Sequence, residues 1–129
     1  MNKQITILLV DDESDFTKPM AFWFESKGYR ALAASDGPTA IKTVKEQSPD
    51  IVFLDLNLPG MDGMAILKAM REFNKDIPVI VISAHVDRLK VKEVEAYGIS
   101  GVFYKGDNFD KGLFLLESVL KRHKNIKDT

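Results

Sequence analysis

A chain of 129 residues and 14.5 kDa, with 18 basic against 19 acidic residues, reads as one small domain large enough to bury a core without covalent staples. The absence of cysteine excludes disulfide frameworks, cysteine zinc sites and thiol catalysis. The formal net charge of −1 leaves no polycation for nucleic acid and no basic stripe for anionic lipid. The first apolar run, Ile5 to Val10, breaks at Asp11, and no later stretch approaches the ~20 apolar residues of a membrane span. A cytoplasmic chain without membrane contact is therefore expected.

In chain order, Ile5 to Val10, Ile51 to Leu54 and Val79 to Ile82 are short runs rich in Ile, Leu and Val and bounded by charge or proline, as buried parallel strands tend to be. Arg30 to Ala34 and Val102 to Tyr104 are weaker strands. Between them the apolar residues fall at helical spacing: Phe16, Met20, Trp23 and Phe24, then Ala40, Ile41 and Val44, then Ile66, Leu67 and Met70, and last Phe109, Leu113, Leu116 and Leu120. The aromatic face at Phe16, Trp23 and Phe24 reads as core. Gly28 and Gly98 suit helix ends, Pro38 a first helical position and Asn108 a cap. Pro19 predicts a distorted first turn in the first helix, because it removes a backbone donor. Strands alternating with helices predict an α/β fold, a parallel sheet covered on both faces. The segment from His123, HKNIKDT, reads as a polar tail or linker stub behind a domain spanning 1–122.

Ligands of such sheets sit at the carboxyl ends of the strands. The first run is followed there by Asp11, Asp12 and Glu13, the third by Asp55, the fourth by Ser83 and the fifth by Lys105. Crowded carboxylates repel unless a cation neutralises them, and a hard, oxygen-liking ion such as Mg²⁺ suits a site of few carboxylates that awaits a phosphate oxygen. One carboxylate is then free to act as nucleophile. Taken singly, each Asp also fits a helix cap or loop acid, Ser83 a cap for a helix near Val86, and Lys105 a surface lysine.

Asp11-Asp12-Glu13 after a strand, Asp55 within DLNLPGMDG, Ser83-Ala84 and Lys105, in that order, resemble the receiver domain of two-component response regulators. The resemblance runs from Ile5 to about Arg122. It implies a doubly wound five-stranded sheet of order 2-1-3-4-5 with five helices, the flavodoxin-like fold of chemotaxis regulators. It makes Asp55 the phosphoacceptor for a sensor histidine kinase or phosphotransfer protein. It also implies Mg²⁺ on Asp12, Asp55 and the Asn57 backbone carbonyl, with Asp11 acting through water. Ser83 and Lys105 would meet phosphoryl oxygens. Asn57 and His85 stand where the family tunes access of hydrolytic water. Output would pass to a downstream protein or a fused effector domain through the fourth helix, fifth strand and fifth helix, with no direct nucleic-acid contact from this domain.

Two positions depart from that pattern. Gly106 replaces the proline that usually follows the lysine, and since a cis bond there costs about 2.5 to 4 kcal/mol, a trans peptide is expected. Val102 replaces the aromatic residue that couples to the Ser/Thr. They motivate the competing reading of a phosphorylation-independent protein-binding module with a partly degenerate site. A flavin module would want a phosphate-cradling loop after the first strand, and DDESDF repels phosphate. A stand-alone hydrolase would need residues for a substrate cap. No separate enzyme activity is expected.

Overall fold

The computed structural model describes residues 4–84 and 88–128. Strands and helices alternate along them: β1 Thr6–Val10, α1 Ser14–Ser26, β2 Arg30–Ala34, α2 Gly37–Gln47, β3 Ile51–Asp55, α3 Gly63–Phe73, β4 Val79–Ser83, α4 Arg88–Glu95, β5 Gly101–Tyr104 and α5 Phe109–Asp128. All strand pairs are parallel and the sheet order is β2-β1-β3-β4-β5, as expected. β1 is thus flanked by β2 on one side and β3 on the other, with Leu8 in register with Leu32 and Val52. The chain reverses its winding there, which opens a crevice between the carboxyl ends of β1 and β3.

Every residue of β1, β3 and β4 is buried, which is why those strands read as unbroken apolar runs. Successive side chains go to opposite faces. Leu8, Val10, Val52, Leu54, Val79 and Val81 face α2, α3 and α4, where Ala40, Val44, Ile66, Leu67, Met70, Val91 and Val94 complete one core layer. Ile7, Leu9, Ile51, Phe53, Ile80 and Ile82 face α1 and α5 and pack with Met20, Phe24, Leu116 and Val119. The edge strands β2 and β5 are partly exposed and their pattern is correspondingly weaker.

Helix ends follow local chemistry. Asp36, Asp62 and Asn108 accept backbone N–H groups of Thr39, Ala65 and Lys111 at 2.8, 2.9 and 3.1 Å. Gly28 and Gly98 carry φ of +97° and +80° just after α1 and α4, a conformation that suits glycine.

Two expectations are corrected. Trp23 is 48% exposed and Phe22 65%, so the aromatic face of α1 is core only through Phe24 and the half-buried Phe16. Helix α1 meets the sheet along the stripe Thr17, Met20 and Phe24, and Trp23 falls at its margin, 5.8 Å from the Phe109 ring. Pro19 leaves α1 continuous from Ser14, because Asp15 and Pro19 lie on the exposed side, where the missing bond breaks no packing. Residues 123–128 continue α5 as helix, with the His123 ring nitrogen 3.2 Å from the Asp76 carbonyl and Arg122 donating to the Ser100 carbonyl at 3.4 Å.

Candidate functional site

The crevice at the end of β1 and β3 is built by one local device used twice. Asp11, following β1, accepts the Glu13 backbone N–H on Oδ1 at 2.8 Å, and Asp55, closing β3, accepts the Asn57 N–H on Oδ1 at 3.0 Å. Each turn pins one oxygen of a buried carboxylate and leaves Oδ2 for the crevice. Both residues are only 3% exposed, so the chain holds two acids where an isolated charge would be costly.

Lys105 answers part of that cost. Its backbone N–H donates to the Ser83 carbonyl at 3.0 Å, which brings the end of β5 alongside β4. From there its ammonium lies 3.0 Å from Asp11 Oδ2 and 3.5 Å from Asp55 Oδ2, and it donates to Glu13 Oε1. The aromatic face of Phe16 is 5.4 Å away and adds a weaker cation–π attraction. Burial works against the Lys105 charge, but the Glu13, Asp11 and Asp55 carboxylates outweigh it and raise the pKa. For Asp11, burial raises the pKa, against the Glu13 N–H and Lys105. Asp11 Oδ2 is buried, has the ammonium as its ion-pair partner at 3.0 Å, and accepts no further hydrogen bond among the described residues.

Carboxylate oxygens of Asp11, Asp12, Glu13 and Asp55 all lie within 4.8 Å of one another. Four acids against one lysine leave this end of the sheet strongly negative. Hard oxygen donors, one of them buried with the Lys105 ammonium as its ion-pair partner, are the donor set that Mg²⁺ takes. Asp12 is exposed at the mouth, as is Asn57, whose side-chain Oδ1 accepts from Lys90 of α4. Ser83 is wholly buried at the end of β4, and its hydroxyl donates to the Ala84 carbonyl at 2.9 Å. His85 and Val86 lie outside the described residues.

Sequence reasoning brought Asp11, Asp12, Asp55, Ser83 and Lys105 to this edge, and the fold places them there. It did not assign a role to Glu13, whose only signal was its place third in an acidic triplet, nor to Phe16 as a lysine platform or Lys90 as a neighbour of Asn57. Gly63 is required by close approach. A Cβ there would stand 2.6 Å from Leu56 Cα and 3.0 Å from the Asp55 carbonyl oxygen. The start of α3 therefore presses directly on the strand that carries Asp55.

Among the described residues no peptide bond is cis, so the Lys105–Gly106 bond is trans as expected. Val102 packs into the α2–α4 layer, whereas Phe103 lies on the opposite face against α5, 3.1 Å from where a Cβ on Gly112 would be. The pleat thus prevents Phe103 from taking the place of an aromatic residue at 102; Tyr104 shares the face of Val102.

The family model described as response regulator receiver domain matches residues 7–115. The chain belongs to that family. Among curated relatives, this receiver is 33% identical over 111 residues to sporulation initiation phosphotransferase F of Bacillus subtilis, a match covering 86% of this chain and 88% of the relative. It is 31% identical over 118 residues to the probable transcriptional regulatory protein TcrX of Mycobacterium tuberculosis, covering 92% of this chain but 47% of TcrX. The receiver thus spans about half the length of that regulator. Among solved structures, the chemotaxis response regulator CheY4 of Vibrio cholerae superposes with a TM-score of 0.85 at 26% identity, covering 91% of this chain and 99% of CheY4. NtrX of Brucella abortus gives a TM-score of 0.91 at 26% identity, with 98% of this chain matching 29% of NtrX. No described helix is long and apolar enough to cross a membrane.

Proposed function

We propose that this receiver is a phosphorylation-controlled switch whose acceptor is Asp55. The observation that carries the reading is the buried Asp55 carboxylate, pinned on one oxygen and free to present the other beside an ammonium and three further acids. Oδ2 of Asp55 attacks the phosphorus of a phosphohistidine on a sensor histidine kinase or phosphotransfer protein. The new O–P bond forms as the N–P bond breaks, and the imidazole leaves with its electron pair and takes a proton from solvent. Lys105 is held within reach of an equatorial oxygen of the transferred group, and its ammonium offsets the charge developing there. Ser83 supplies a hydroxyl at the same edge once it turns from Ala84.

Mg²⁺ would be held by Asp12, Asp55 and the Asn57 backbone carbonyl, with Asp11 through water. When bound, it supplies the countercharge that lets a dianionic phosphoryl group approach the acids. In the cytoplasm the modified domain passes its state to a downstream protein or a fused effector domain. The relation to TcrX, named as a probable transcriptional regulator, supports an output of that kind.

The deciding experiment is intact mass after incubation with acetyl phosphate and Mg²⁺. One phosphoryl group per chain is expected, lost in Asp55→Ala and in chelator. A folded wild-type chain that gains no mass would instead support a phosphorylation-independent binding module, the reading that Gly106 and Val102 favour.

A further inference from the structure

The start of α1 is fastened to the end of β5 by side chains 92 residues apart, Glu13 and Lys105. Glu13 stands just before α1 with its backbone pinned on both sides. Its N–H donates to Asp11 Oδ1 at 2.8 Å, and its carbonyl accepts the N–H groups of Phe16 and Thr17, each at 3.0 Å. A residue at this place commonly turns its side chain back onto the helix N–H groups, but the Glu13 carboxylate makes no capping bond and accepts from the Lys105 ammonium instead. Phe16, in the first turn of the same helix, presents its ring 5.4 Å from that ammonium. The ring is itself held against Phe103, 6.2 Å away and two residues before Lys105. After Lys105 comes the exposed Gly106, and the Asp107 N–H closes a turn on the Tyr104 carbonyl at 2.9 Å. This turn fixes the backbone, but glycine offers no side chain against which the long lysine stem could rest.

We infer that Glu13 is a positioning residue for Lys105, holding its ammonium beside Asp55 Oδ2 while the phosphoryl group is transferred. The inference rests on the proposed role of Asp55. Three carboxylates surround the ammonium, and they do not serve alike. Asp55 Oδ2, 3.5 Å away, is the atom that bonds to phosphorus. With acetyl phosphate as donor, that O–P bond forms as the donor's own O–P bond breaks, and acetate leaves with the electron pair. The charge of Asp55 passes to the phosphoryl oxygens in this step, so its direct hold on the ammonium weakens as the bond forms. Asp11, 3.0 Å away with a fully buried side chain, draws the ammonium toward the floor of the crevice. Glu13 takes no part in bond making, keeps its charge throughout and attaches at the mouth, where its side chain is 60% exposed. Set between a buried acid and an exposed one, the ammonium stays level with Asp55 Oδ2. Without the outer anchor, the flexible stem samples other rotamers and meets the transferred group less often.

The test uses the full chain, loaded with acetyl phosphate and followed by intact mass, with Mg²⁺ raised until the rate no longer changes so that any altered metal affinity drops out. Glu13→Ala is expected to load about fivefold more slowly than wild type, the rate equivalent of an ordinary hydrogen bond. Glu13→Gln should stay within about twofold, since its amide oxygen still accepts from the ammonium. In a Lys105→Ala background, Glu13→Ala should slow loading no further. Loading at the wild-type rate or faster in Glu13→Ala overturns the inference, as does a Glu13→Gln variant as slow as Glu13→Ala, or an equal slowing that persists without Lys105. A wild-type chain that never loads overturns the Asp55 reading itself. The contact is also tested without phosphate or metal: the Lys105 side-chain methylene resonances, beside the Phe16 ring, should move in Glu13→Ala and hold in Glu13→Gln. Unmoved resonances in Glu13→Ala refute it.

Discussion

Two half-buried cations sit at opposite ends of the sheet, and their partners differ in kind. At the carboxyl edge, Lys105 faces Asp11, Glu13 and Asp55, all acidic and more numerous than it can neutralise. At the other edge, Arg71 donates to the carbonyls of Asn74, Ile77, Tyr97 and Gly98, four neutral oxygens that end α3, precede β4 and end α4. Burial lowers the Arg71 pKa, with Asp76 opposing it, whereas the surrounding acids raise that of Lys105. The Arg71 cluster is satisfied by hydrogen bonds and neutral acceptors, so it needs nothing more. The Lys105 cluster is left with more carboxylates than its ammonium can neutralise, so it is the end that can gain from a ligand.

That contrast breaks most visibly at Lys105. Lys105→Ala is expected to slow phosphorylation of Asp55 by about 100-fold, the usual scale for removing one preorganised charge partner, measured as mass gain over time with acetyl phosphate. A rate within threefold of wild type would show that the ammonium neutralises the apo site and does no more.

Next in size is the other cation. Arg71→Ala should lower unfolding stability by about 1 to 3 kcal/mol in urea titrations, because it takes the donor from the part-buried carbonyls of Asn74 and Ile77 and from the exposed ones of Tyr97 and Gly98 at once. Arg71→Lys should recover less than half, since an ammonium cannot reach four acceptors with the geometry of a planar fork. Loading of Asp55 should be unchanged in both. A loss of loading with intact stability would erase the division between a structural and a functional cation.

The smallest effect sharpens the electrostatic side. Burial raises the Asp11 pKa above its ordinary 3.8, so the folded chain holds that proton more tightly than the unfolded one. The Asp11 contribution to stability therefore falls as pH rises from 3.8 through the raised folded value. Asp11→Asn should remove this slope and raise the urea midpoint of the metal-free protein at pH 7, while Mg²⁺ narrows the gap. Parallel pH profiles for the two proteins would mean that Lys105 already compensates the buried charge in full.

Much of the frame was legible in the residues. β1, β3 and β4 are buried on both faces, so apolar side chains run unbroken and the first polar residue marks the strand end; that located Asp11, Asp55 and Ser83. Lys105 was legible for the same reason despite the weak, partly exposed β5. Trp23 misled because helical spacing says which residues share a face, not how wide a stripe the sheet will cover. The helical continuation of α5 past Arg122 was not legible because HKNIKDT carries no repeating apolar spacing.

By itself the sequence determined what depends on neighbours along the chain: strand and helix periods, the caps at Asn108, Gly28 and Gly98, and the order of acids and lysine at successive strand ends. Tertiary structure alone decided which distant side chains meet. Glu13 reaching Lys105, Lys90 reaching Asn57, and Arg71 gathering carbonyls from three segments are separated by 92, 33 and up to 27 residues. Such pairings depend on the crossing of elements and the reach of long side chains, which leave no periodic trace in the sequence. The steric need for glycine at 63 has the same origin, since it comes from how closely α3 seats on the end of β3.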